Sequence, residues 1–116
     1  MSQWKWNDVE LEIDMDDVEF QQKIEDAYNK MEAEEDNLSK VGRASEITLG
    51  NCNMFYNFFD LVFGSGTGEK LLGTKKNARI CDECYGSFFD FMRSEVEKSN
   101  KRRAQYVQKY KVKSKK

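Results

Sequence analysis

Apolar and polar residues alternate at the start of the chain. Trp4, Trp6, Val9, Leu11 and Ile13 are apolar, with Lys5, Glu10 and Glu12 polar between them. Alternation of this kind is the signature of strands with one buried face. The interruption, Asn7-Asp8, consists of residues that tolerate the positive φ angles of a two-residue hairpin turn. Closing the hairpin there sets Trp6 opposite Val9 and Trp4 opposite Leu11 on one face. A lone hairpin is marginal in water, so that face has to pack on something else.

The period then lengthens. Asp16 and Asp17 are candidate N-caps, and Phe20, Ile24, Ala27, Tyr28, Met31, Leu38 and Val41 recur at helical spacing. Gly42 is read as the stop. Ser45 is the candidate cap of a second helix, whose stripe is Ile47, Cys52, Phe55, Phe59 and Val62. Met54, Tyr56, Phe58 and Phe63 widen that stripe around most of the circumference, so the helix is central or offers a face to a partner. Gly64 to Gly68 breaks the pattern, and Glu69 to Leu72 is at most one helical turn. Asn77 is the candidate cap of a last helix with Ile80, Cys84, Phe88, Phe91, Met92 and Val96 on one face. Tyr106, Val107 and Tyr110 continue its near-helical spacing, and the last residues, 111–116, are expected to fray. The pattern predicts a mainly α fold: an N-terminal β-hairpin over about 4–13 and three main helices over about 17–41, 45–63 and 78–110. The expected organisation is one α-rich domain over 1–97 and a basic tail over 98–116, partly helical or disordered.

At 116 residues, 39% hydrophobic and 13% aromatic, the chain has the length of one domain and enough bulk for a core. It contains no proline and no histidine. The first suits a helical protein; the second removes the commonest general base and most catalytic zinc sites. No apolar run is long enough to span a membrane. Met1-Ser2-Gln3-Trp4 does not open a secretory signal. Three cysteines, an odd number, read as reduced thiols, and the expected location is the cytoplasm.

The net charge of −2 hides two blocks: residues 8–36 carry 13 acids and two bases, and residues 98–116 carry nine bases and no acid. The basic block could neutralise phosphates, with Tyr106 and Tyr110 stacking on bases. It could equally meet the acidic block of a neighbouring copy, with Arg102, Arg103 and Lys109 as the contact.

Three motifs resemble chemical sites and fall short. Cys81-Asp82-Glu83-Cys84 has metal or redox spacing, but only Cys52 remains as a third sulfur and no strand precedes the pair; core thiols are expected. Gly64-Ser65-Gly66-Thr67-Gly68-Glu69-Lys70 resembles a phosphate loop, but Glu69 stands where glycine must precede the lysine and Leu71 where a hydroxyl must follow. Asp14, Asp16 and Glu25 resemble a calcium loop, but Glu19 occupies the place of the obligatory glycine. No cofactor, metal or catalytic residue is therefore expected. The phenylalanines are the remaining candidates. Packing does not easily hide both members of Phe58-Phe59 and Phe88-Phe89, so an exposed remainder of Phe55, Phe58, Phe59, Phe63, Phe88 and Phe89 is the expected partner-binding patch.

The order of these features resembles a family. A hairpin and an acidic helix come first. A helix ending Phe58-Phe59-Asp60-Leu61-Val62-Phe63-Gly64 follows and runs into a Gly-Ser-Gly-Thr loop and Lys70-Leu71-Leu72-Gly73. Then come an Asn77-initiated helix with Cys81 and Phe88-Phe89-Asp90-Phe91, and a basic tail. The whole is similar to the small tail assembly chaperone-like proteins encoded among the tail-morphogenesis genes of long-tailed bacteriophages of Gram-positive hosts. The resemblance implies a non-enzymatic protein that binds the tape-measure protein, keeps it soluble during tail morphogenesis, and self-associates along it in the host cytoplasm. The other readings are a nucleic-acid-binding accessory protein that uses the basic tail, and a small inhibitor of a host protein that uses its acidic helix.

Overall fold

The computed structural model describes residues 2–111. Its elements are β1 (Ser2–Trp6), β2 (Val9–Ile13), α1 (Val18–Asn37), α2 (Ala44–Phe63), α3 (Thr67–Leu72) and α4 (Ala78–Lys109). The fold is mainly α with an N-terminal two-stranded antiparallel hairpin. Residues 112–116, and with them most of the expected frayed end, lie outside the described residues.

The hairpin forms in the expected register, Trp4 opposite Leu11 and Trp6 opposite Val9. Asn7 and Asp8 both take positive φ, 51° and 65°, as a type I′ turn requires. The apolar face is covered by the helices. Trp4 is buried, stacks on Phe59 and Phe63, and meets Phe88 edge-on. Its indole N–H donates to the Ser87 hydroxyl at 3.1 Å, which satisfies the one polar atom that burial would otherwise leave unpaired.

Asp17 caps α1 by accepting from the Phe20 N–H at 3.0 Å. The helix ends at Asn37, four residues before the expected Val41. Leu38 leaves helical geometry (ψ 137°) and lies against Gly50 of α2, its Cδ2 only 3.1 Å from where a Cβ there would stand. Anchoring Leu38 on α2 turns the chain early and leaves Val41 85% exposed. α2 starts at Ala44, so Ser45 lies inside the first turn and is not the cap. The Glu46 N–H, the donor that a capping side chain would serve, goes to the Arg43 carbonyl at 3.1 Å.

The glycine segment folds α3 back onto α2. Gly64 and Gly66 take positive φ. Gly68 approaches α2 so closely that a Cβ would stand 2.6 Å from the Tyr56 carbonyl oxygen. Asp60 accepts from the Gly68 N–H at 2.7 Å, and the Tyr56 hydroxyl donates to the Gly73 carbonyl. α3 is thus six residues long, two more than expected.

Asn77 caps α4 by accepting from the Ile80 N–H at 3.1 Å. α4 runs unbroken for 32 residues, about 48 Å, across the 97/98 boundary expected between domain and tail. Its inward face keeps Cys84 and Phe88 of the expected stripe and adds Cys81 and Ser99. Cys81, Cys84, Phe88 and Ser99 are buried, Ile80, Phe91 and Met92 are half-buried, and Val96 is 37% exposed. The hairpin and the segment after it lie along α4, with Trp4 at Ser87, Ser2 at Glu95 and Asp16 at Ser99, which is why Ser99 is covered. Beyond Ser99 every described residue is exposed. The molecule measures 69 × 31 × 21 Å because this end of α4 projects as an arm.

Candidate functional site

The six candidate phenylalanines divide. Phe58, Phe59 and Phe88 are no more than 1% exposed. They form a mutually edge-on cluster with centroids 5.3 to 5.8 Å apart, so they serve the core and offer no partner surface. The helices pack on two sides at once: α2 faces both α1 and α4, while the hairpin covers the remaining flank through Trp4. Phe63 is half-buried, stacks on Trp4 and meets Phe20 at a tilt, under the hairpin.

Phe55 and Phe89 reach the surface. Phe55 meets Tyr85 at 5.1 Å, Tyr85 meets Phe89 at 4.7 Å, and Phe89 meets Tyr28 at 6.5 Å. These four rings make one strip across α2, α4 and α1, ending at Tyr28, which is 41% exposed. Sequence reasoning missed Tyr85 and assigned Tyr28 to the core stripe. The available signal was the i, i+4 spacing of Cys81, Tyr85 and Phe89. An open groove at the α1 end of the strip is lined by Ile24, Glu25, Tyr28, Asn29 and Phe89. The charge of Glu32, one turn along α1, is the main cause that raises the Tyr28 phenol above its ordinary pKa, and Glu35 adds to it. The Tyr85 phenol is raised chiefly by burial.

The phosphate-like loop is occupied by its own chain. The Gly68 N–H is held by Asp60, and Asp60 and Glu69 line the adjoining depression with Tyr56 and Lys76. Two carboxylates there oppose an anion. Lys76 Nζ lies 3.5 Å from the centre of the Tyr56 ring, a cation–π contact within one chain.

Cys52, Cys81 and Cys84 are free and buried. Burial, reinforced by neighbouring sulfur, pushes the Cys81 and Cys84 thiols up to about 12. Such thiols are poor nucleophiles and poor ligands. Among the described residues no group of three or more Cys, Asp or Glu is placed to hold a metal ion. The calcium-like acids are engaged elsewhere: Asp14 accepts from the Asp16 N–H, and the Asp16 carboxylate accepts from Ser99 and Arg102.

The three candidate charge-contact residues also divide. Arg102 pairs within the chain, with Nη1 and Nη2 at 2.9 and 3.1 Å from the Asp16 oxygens. Among the described residues Arg103 reaches only Asn100, one turn back. Lys109 Nζ lies 5.4 Å from the Tyr110 ring. Tyr106 and Tyr110 stack at 5.9 Å and 14° on the exposed arm. Among the described residues no helix is long and apolar enough to cross a membrane.

Fold and surface together define a hairpin-capped helical protein with an aromatic strip and a basic helical arm. Residues 7–116 match the family of unknown function DUF6673, and the chain belongs to that family. No curated protein and no solved structure matches it.

Proposed function

We propose that this protein is a tail assembly chaperone-like factor of a long-tailed bacteriophage, non-enzymatic, which binds the tape-measure protein and keeps it soluble. The observation that carries this reading is the half-buried aromatic strip of Phe55, Tyr85 and Phe89, which ends at the exposed Tyr28 beside an open groove. A long amphipathic client helix needs an apolar, shallow and open receiving surface of this kind. The feature order from Phe58 to Gly73 that resembles such chaperones supports it further. The test is co-expression with a tape-measure fragment followed by gel filtration. Co-elution and rescue of fragment solubility are expected, both reduced by Phe55→Ser with Phe89→Ser. Absence of both effects with the unsubstituted chain rejects the role.

The stacked Tyr106–Tyr110 pair among exposed bases favours a second reading, nucleic-acid binding by the arm. A gel shift that falls steeply with salt and needs residues 98–116 would support it.

A further inference from the structure

We propose that the basic arm of one copy docks in the acidic groove between α1 and α4 of a second copy. The contact needs no client, so it stands apart from the chaperone reading. Arg103, Tyr106, Val107 and Tyr110 occupy positions i, i+3, i+4 and i+7 and share one face of the arm. Tyr106, Val107 and Tyr110 are 55, 62 and 65% exposed. Past the Arg102–Asp16 pair the described part of the arm is exposed on all sides and gains nothing from tertiary packing, which is what ordinarily stabilises helices in proteins. The arm is therefore an unpartnered amphipathic face.

The groove has the complementary character. Its floor is Ile24 and Phe89, its wall is the exposed Tyr28 ring, and Glu25 lines it. Glu32 and Glu35 are exposed on α1 near Tyr28, close enough to perturb its phenol. Aromatic and aliphatic groups would thus meet aromatic and aliphatic groups, and Arg103 and Lys109 would meet Glu25 and Glu32. The arm cannot fill the groove of its own chain. Phe89 and Tyr106 lie on the same unbroken helix, 17 residues and about 25 Å apart along its axis. The occupant is a neighbour, and the contact is heterologous, so it repeats from copy to copy.

The test is sedimentation velocity on the full chain over a concentration series at low and physiological salt. Association that grows with concentration and weakens with salt is expected. Arg103→Glu with Lys109→Glu on the arm, and Glu25→Lys with Glu32→Lys on the groove, should each weaken it roughly tenfold or more. All four positions are exposed, so helicity by circular dichroism should not change. An equimolar mixture of the two variants should restore association, because opposite charges meet again across the contact. A wild-type chain that stays monomeric throughout overturns the proposal. So does association that survives both variants, or a mixture that fails to restore it. An arm variant that loses only a salt-sensitive shift with DNA overturns it in favour of the nucleic-acid reading.

Discussion

Arg102 holds Asp16 through a forked pair, with two nitrogens on the two carboxylate oxygens at 2.9 and 3.1 Å across 86 residues of chain. Ser99, one turn before Arg102, donates to the same carboxylate. The acidic head and the basic tail therefore meet once inside a single molecule, at the point where α4 leaves the core. An isolated exposed ion pair stabilises little. Here the pair adds geometry, since it fixes where the arm begins.

That carboxylate makes stability pH-dependent in a defined direction. The Arg102 hydrogen bond, then Ser99, hold Asp16 well below the usual carboxylate range. The unfolded chain titrates Asp near its ordinary value of about 3.9. The folded state thus binds the proton less readily, and the contribution is fully present above that value and lost as pH falls below it. Asp16→Asn should lower the urea midpoint at pH 7. The gap between variant and wild type should close as pH drops below the unfolded pKa. A gap that stays constant down to acid pH would show that the charge is not involved.

Two glycine substitutions should act in opposite directions. At Gly68 a Cβ would stand 2.6 Å from the Tyr56 oxygen and 2.9 Å from its Cα, both backbone atoms. Gly68→Ala should destabilise by about 1–3 kcal/mol. At Gly86, inside α4, nothing lies within 4 Å, so Gly86→Ala should stabilise by about 0.5–1 kcal/mol. Denaturant midpoints with unchanged slopes measure both.

Trp4 joins the hairpin to the helices. It is 2% exposed and touches Phe59, Phe63 and Phe88. Trp4→Ala should cost about 3–5 kcal/mol by leaving a cavity and an unpaired Ser87. In a Trp6→Phe background the remaining Trp4 emission should be blue-shifted and shielded from iodide until the chain unfolds.

The thiols should be silent in the native state. With pKa pushed up to about 12 at Cys81 and Cys84, the thiolate fraction at pH 8 is on the order of one in ten thousand. Ellman's reagent should find essentially no reactive thiol at pH 8 and all three in denaturant. Fast labelling of a single native cysteine would contradict the packing described.

The register and turn of the hairpin were legible, because alternation and the Asn7-Asp8 turn are local, although β1 begins at Ser2, two residues before the expected Trp4. So was the cap Asn77, whose partner lies three residues away, whereas the choice of Asp17 over Asp16 fell to α4, which engages Asp16 through Ser99 and Arg102. The end of α1 was not, because Leu38 answers to Gly50 on another helix. The aromatic patch was half legible. Phe55 and Phe89 could be named, and Tyr85 stands one turn before Phe89 on α4, but Phe55 and Tyr28 come from two other helices, and no spacing along one helix brings them to that pair.

The sequence by itself determined the mainly α class, the hairpin register, the two opposed charge blocks and the burial of Cys52 and Cys84, since each follows from residue type and local period. Only the tertiary structure decided which phenylalanines face inward, that Ser99 is covered while Val96 is not, and that Arg102 is held by Asp16 of its own chain. Helical period sets the direction of a side chain relative to its neighbours on the same helix. What covers that direction is set by chain many residues away, here the hairpin and the segment after it, laid along α4 from Ser87 to Arg102.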